Sequence, residues 1–297
     1  DNGNNSGWSF TVPSGSNLAY YWIGGSGNWS EPSHWSLTSG GIPNPDGCIP
    51  NPTNDVIFDA NSGFISSSKT VTVDLSTASC GNMDWTGSLN TPIFATTTSS
   101  NQLRVYGSLT LIPQMNWNFN GTIYFEGTTL GQTITTAGKT ILGNVYFNGN
   151  GGEWTLQDLF KTNNAYIYHN YGSLKTNGQT IMAYVFNSST SNVRSLDLGN
   201  SLIILSMSYT DFMYINFTNL TFNGGTATIR STANSNDTRS LYISGTSASP
   251  VNMYNVEFSG TTGNGRIINS LNSSQIINFN DVSFAGNGTI NGNNTYQ

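Results

Sequence analysis

One six-residue phrase returns along this chain and restricts its fold more than any other feature. It reads Asn144-Val-Tyr-Phe-Asn-Gly149, and returns as Asn219-Leu-Thr-Phe-Asn-Gly224, Asn255-Val-Glu-Phe-Ser-Gly260 and Asp281-Val-Ser-Phe-Ala-Gly286, with a looser copy at Thr122-Ile-Tyr-Phe-Glu-Gly127. An apolar residue, a variable one and then Phe give the period of two of a strand with one buried face. The closing Gly suits a turn that a side chain would resist. The Phe residues at 125, 147, 222, 258 and 284 are 22, 75, 36 and 26 apart, close to one coil of a β-solenoid or to multiples of it. The phrase is therefore read as one wall of a right-handed parallel β-helix, all-β, with Phe125, Phe147, Phe222, Phe258 and Phe284 stacked in its interior.

The remaining strand-like runs are short and bounded by Gly, Asn or Ser, as at Thr70-Val-Thr-Val73, Tyr166-Ile-Tyr168 and Leu202-Ile-Ile-Leu205. No segment sustains a period of 3.6. Only residues 154–161 have a helical flavour. Matched hairpins with regular Asn-Gly turns are missing, so a solenoid fits better than a sandwich or barrel, with a jelly roll as the alternative. Three regions are expected: a flexible lead-in or linker over 1–18, a cap with the first coils over 19–91, and the β-helix proper over 92–297.

Charged residues make up 8 % of the 297, far below the usual quarter, and Asn, Ser, Thr and Gly replace them. Such a composition often means disorder, but 12 % aromatic residues spread along the chain argue for a packed interior. Nine unclustered Lys and Arg and a net charge of −6 exclude a phosphate-tracking surface, so no nucleic acid is expected. No apolar run is long enough to cross a bilayer, and no signal peptide is read, so the chain is taken as mature or as an internal piece. A surface of amides and hydroxyls suits an extracellular protein.

Cys48 and Cys80 are the only cysteines, an even number in a chain that looks exported, and a Cys48–Cys80 disulfide is expected; two buried free thiols are the alternative. Cys48 lies in a loop, residues 43–52, with four of the nine prolines. Trp22, Trp29 and Trp35 fall within fourteen residues, separated by Gly and Pro, and are read as a plug that caps the first coil.

The phrase Trp22-Ile-Gly-Gly-Ser-Gly-Asn-Trp29-Ser-Glu-Pro-Ser-His-Trp35, with Asn54-Asp-Val-Ile-Phe-Asp-Ala-Asn61 and Cys80-Gly-Asn-Met-Asp-Trp-Thr-Gly87, resembles β-helical segments of large secreted cell-surface adhesins of Bacteroidetes, gliding flavobacteria among them. The resemblance covers most of residues 20–230. It implies a bacterial cell-surface location, export by the type IX route, and polysaccharide, other surfaces or further cell-surface and secretion-system proteins as partners. It specifies an architecture and no chemistry.

No catalytic residue is assigned. Parallel β-helices include pectate lyases, so a polysaccharide-binding or polysaccharide-cleaving protein is the second reading. Cleavage would need clustered carboxylates, with calcium and a base or at a fixed separation, and the fifteen acidic residues are scattered. No cofactor is expected. Asp55 and Asp59 share one strand face and are the weak candidates for calcium, with turn capping as the simpler role. His34 is read as packed in the Trp plug and His169 as a surface or turn residue. Exposed rings can grip sugar faces, and Tyr166, Tyr168 and Tyr171 are the candidate glycan contacts.

Overall fold

In the computed structural model the described residues are 18–247, 250–271, 276–292 and 294–296. They form the expected parallel β-solenoid, of about nine turns. The lead-in of residues 1–18 lies, but for Leu18, outside the described residues.

Each coil visits three walls in turn. The first wall holds nine parallel strands, from Ala19–Trp22 to Leu220–Asn223, with Trp35–Ser36 paired antiparallel at its outer edge. The third wall holds ten, from Thr77–Cys80 to Asn287–Asn291. The second wall is in two pieces. Four strands run from Gly27–Asn28 to Asn116–Asn118, and eight more begin at Thr140–Ile141 and end at Asn294–Tyr296. After Asn223 the strands among the described residues lie only on the second and third walls. The one helical piece among the described residues is a 3-10 turn at Pro32–His34. The helical flavour of 154–161 resolves into the strands Glu153–Leu156 and Phe160–Thr162.

Period two is carried through most strands: Thr122–Phe125 and Tyr166–His169 both alternate half-buried with buried, whereas Asp211–Asn216 and Thr238–Ser244 break the alternation. The repeated phrase, however, does not form one wall. Phe125 and Phe147 stack on the third wall with ring centroids 5.2 Å apart. Phe258 and Phe284 stack on the second, 4.8 Å apart, while Phe222 ends the first wall. Phe125, Phe147 and Phe258 are buried; Phe222 and Phe284 are half-buried because their coils have less above them. The closing Gly also serves another purpose than a turn. A Cβ on Gly149 would collide with the carbonyl oxygen of Gly127, and one on Gly260 with that of Ala233. The constraint is the close approach of the neighbouring coil, which is common to all walls.

Trp22, Trp29 and Trp35 are fully buried and meet edge to face, with centroids 5.0 Å apart for Trp22–Trp35 and 4.9 Å for Trp29–Trp35. Their aromatic cluster is not confined to the end. Phe58, Trp85, Phe94 and Trp117 extend it, each within 6.3 Å of the last, into an aromatic spine through the first four coils.

The expected Cys48–Cys80 bond is absent: both thiols are free. Cys80 ends the strand Thr77–Cys80 pointing inward and is buried, whereas Cys48 is exposed in the Pro-rich loop outside the wall. That loop is held instead by Asn44, which donates its backbone N–H to the Trp35 carbonyl (2.7 Å) and its side-chain amide to the Tyr20 hydroxyl (3.2 Å). Burial, and secondarily Asp55, pushes the Cys80 thiol far above its usual range, so its thiolate is suppressed. A thiol reagent is expected to modify one cysteine per native chain and two in denaturant. Two unreactive cysteines in unreduced, denatured protein would show a bridge.

Candidate functional site

The third wall carries the most organised outward surface. Its pairing aligns Arg104, Tyr124, Tyr146, Tyr168, Asn187, Tyr214 and Tyr242 in one outward column. The Arg104 guanidinium lies 4.6 Å from the centre of the Tyr124 ring, a cation–π contact. Tyr124 stacks on Tyr146 at 4.7 Å and Tyr146 on Tyr168 at 4.4 Å, with planes within 15° of parallel. The spacing follows from the inter-strand distance, which places equivalent side chains of successive coils at stacking range. Two residues along, Glu126 accepts from Arg104 Nη1 (2.7 Å), and Asn170 donates to Asn148 (3.3 Å). The column thus has a fixed cation beside its first tyrosine and a polar border.

The stacking decides how these rings can meet a ligand. Faces 4.4 Å apart admit nothing between them, so Tyr146 offers its edge and hydroxyl only. Desolvation, followed by the neighbouring Tyr168 and Tyr124 hydroxyls, pushes the Tyr146 hydroxyl up to about 12, so Tyr146 presents a neutral hydroxyl that donates and accepts. An open ring is found beside it. Tyr209 is 61 % exposed, and its hydroxyl pKa is raised first by the hydrogen bond to Tyr184. Tyr184 packs edge-on against Tyr166 (5.9 Å), which is parallel to Tyr168 (5.6 Å).

Of the candidate glycan contacts, Tyr166 and Tyr168 belong to this patch. Tyr171 has turned the corner after the strand Tyr166–His169 and has no ring partner among the described residues. Tyr124, Tyr146 and Arg104 were missed, although Tyr124, Tyr146 and Tyr168 recur every 22 residues at the outward slot of their strands.

His169 is not at the surface as expected. It is fully buried, following Phe125 and Phe147 in the inward column of the third wall. Arg194, also buried, donates from Nε to Ser188 Oγ (2.8 Å). The Ser188 hydrogen is then directed to His169 Nδ1 (3.3 Å), and Nε2–H donates to the Gly172 carbonyl (3.1 Å). Gly172 makes the room: its φ is +72° and a Cβ there would meet Trp154. Desolvation, outweighing the Gly172 hydrogen bond, lowers the His169 pKa to about 4, so the ring is neutral. The serine and histidine are sealed from solvent, and no carboxylate among the described residues joins them. His34 stacks on Trp22 at 4.7 Å, as expected of a packed residue.

Asp55 and Asp59 are not brought together as a cation site. Asp55 accepts from the backbone N–H (2.8 Å) and side-chain amide (3.0 Å) of Asn82, and Asp59 from the Asn61 N–H (2.8 Å) and the Ser39 hydroxyl (2.5 Å). Asp55 ties its strand to the approach of the next coil, and Asp59 holds two turns together. Among the described residues no three His, Cys, Asp or Glu converge on one point. Ion pairs lie on different walls: Arg104–Glu126 on the third, Lys175–Glu153 (2.7 Å) on the first and Arg230–Glu257 (2.6 Å) on the second. No helix among the described residues is long and apolar enough to cross a membrane.

No protein-family model, curated protein or solved structure matches the chain.

Proposed function

We propose that the chain is a structural and adhesive module, without catalysis, of a secreted bacterial cell-surface protein, and that it lays the third wall against polysaccharide. The observation that carries the reading is the tyrosine column with its open neighbour Tyr209. Stacked rings fix a row of hydroxyls on a rigid lattice, and an exposed ring beside them supplies an apolar face for a sugar. Such a surface binds with little ordering cost because its side chains are held before the ligand arrives. The carboxylates support a non-catalytic role, since Asp55, Asp59, Glu126, Glu153 and Glu257 are each engaged with amides, hydroxyls or cations. The Trp-rich opening, by its resemblance to Bacteroidetes adhesin segments, supports a cell-surface setting with type IX export and a role in attachment or gliding.

The test is retention on a panel of immobilised polysaccharides. Tyr209→Ala and Tyr166→Ala are each expected to weaken retention about tenfold, the loss of one aromatic anchor. Tyr254→Ala, exposed on the second wall, should leave it unchanged. Retention insensitive to both third-wall variants would refute the reading. Release of oligosaccharides, abolished by one carboxylate substitution, would replace it with an enzyme.

A further inference from the structure

The corner between the third wall and the first is unevenly built. In two successive coils it is short, with Thr77–Cys80 leading to Met83–Asp84 and Gln102–Val105 to Leu109–Thr110. The longer loop of residues 37–54 precedes these corners, and the loop of residues 126–131 follows them. A notch of about 360 Å³ is left between, with Pro52 and Thr53 at one end and Thr128 and Thr129 at the other. Gly81, Gly107 and Gly127 line it along the corner. A Cβ on Gly107 would collide with Asn82 Oδ1 and one on Gly127 with the Gln132 amide, so no side chain grows from these positions to fill the space.

Gln132 stands in this notch with one polar atom unused. It opens an inward column that continues as Trp154 and Leu174, and it is only 5 % exposed. Its Nε2 donates to the Tyr106 carbonyl (3.1 Å) and to Thr129 Oγ1 (2.9 Å), while Oε1 is buried and has no partner among the described residues. A buried acceptor is costly to leave alone, so the site favours a donor that reaches it. Further bonding groups stand ready around it. The Thr129 hydroxyl accepts from Gln132 and keeps its own hydrogen to give. The Thr128 hydroxyl and the Tyr106 side chain have no partner among the described residues.

We propose that this notch binds the end unit of a neutral glycan, with the sugar beside the Tyr106 ring and a sugar hydroxyl donating to Gln132 Oε1. The Thr128 and Thr129 hydroxyls bond its other hydroxyls. An aromatic ring among a few fixed amides and hydroxyls is the equipment of a small polar-ligand site, and the volume lies near the lower end for such sites. Neutrality follows from the lining, which has no Lys, Arg, Asp or Glu. Asp55, which accepts from Asn82, and Glu126, which precedes Gly127, place carboxylates beside it and disfavour an anion. An end unit is specified because the two loops block the way along the axis in both directions. The site is separate from the tyrosine column and does not rest on it.

The experiment is an NMR titration of the full chain with methyl glycosides of glucose, galactose and N-acetylglucosamine, their oligomers, and glucuronate as the charged control. At least one neutral glycoside is expected to shift the Gln132 side-chain amide and the Gly107 amide saturably, with affinity level beyond the disaccharide. Thr128→Trp, at an exposed loop position, fills the notch and should weaken this binding about tenfold or more, as should Tyr106→Ala. Tyr209→Ala should leave it unchanged. The proposal is overturned if no neutral glycoside shifts these signals, if the shifts survive Thr128→Trp, or if glucuronate binds as tightly. It is equally overturned if affinity keeps rising with chain length, or if the shifts fall on Tyr146 and Tyr168 and vanish with Tyr209→Ala, in which case the tyrosine column alone holds the glycan.

Discussion

Trp85→Ala is expected to cost about 3–5 kcal/mol, the range for a large aromatic removed from a core. Trp85 is fully buried at the centre of the aromatic spine. It stacks on Phe58 at 3.8 Å and 8° and lies 5.9 Å from Phe64 and 5.8 Å from Phe94. Deleting it removes a link between coils as well as its own burial, and solenoid stability rests on contacts between adjacent coils. Trp85→Phe isolates the cause. The indole N–H has no hydrogen-bond partner among the described residues, so phenylalanine keeps much of the stack and removes an unsatisfied donor. Urea midpoints should therefore rank wild type and Trp85→Phe close together and Trp85→Ala far below. Equal losses for both variants would show that the stack contributes little.

Acid should destabilise the protein through His169. The ring is neutral when folded, with a pKa of about 4, and binds a proton near pH 6.5 when unfolded. Below that pH the unfolded chain binds more protons than the native one, so stability rises with pH. The contribution is fully present above pH 6.5 and is lost as pH falls towards 4, reaching about 3 kcal/mol. Arg194 opposes protonation further, since its guanidinium is joined to the ring through Ser188. His169→Phe would continue the Phe125–Phe147 column and removes the titrating group. The carboxylates are common to both proteins, so the difference in unfolding free energy between variant and wild type isolates the histidine. It should change with pH between 4 and 6.5 and be flat above. A constant difference would place the native pKa near its ordinary value.

Much of this architecture was legible because its causes are local. Period two and the recurrent Phe declare a stacked solenoid, and the 22-residue recurrence of Tyr124, Tyr146 and Tyr168 announces an outward column once strands are assumed. The assignment of the phrase to a single wall fails because its elements state only that one face is inside and that a coil passes close by the Gly. Those conditions hold on every wall, which is why Phe147, Phe222 and Phe258 lie on three different ones. The Cys48–Cys80 bond fails because parity of cysteines says nothing of direction, and one thiol points inward while the other stands outside. His169 was misplaced because its partners, Ser188 and Arg194, are distant in sequence and reach it only through stacking.

The interruption of the second wall has a mechanical meaning. Between Asn116–Asn118 and Thr140–Ile141 the ladder stops on that side, while Leu109 still pairs with Ile134 on the first wall and Tyr124 with Tyr146 on the third. A triangular rod stitched along all three edges resists flexure alike in every direction. This one has a slit in one edge, at the fourth coil. Bending that widens the slit breaks no backbone bond, whereas bending away from either other edge strains a continuous seam. The shaft therefore has a preferred plane of yield, in which the cap end leans most easily.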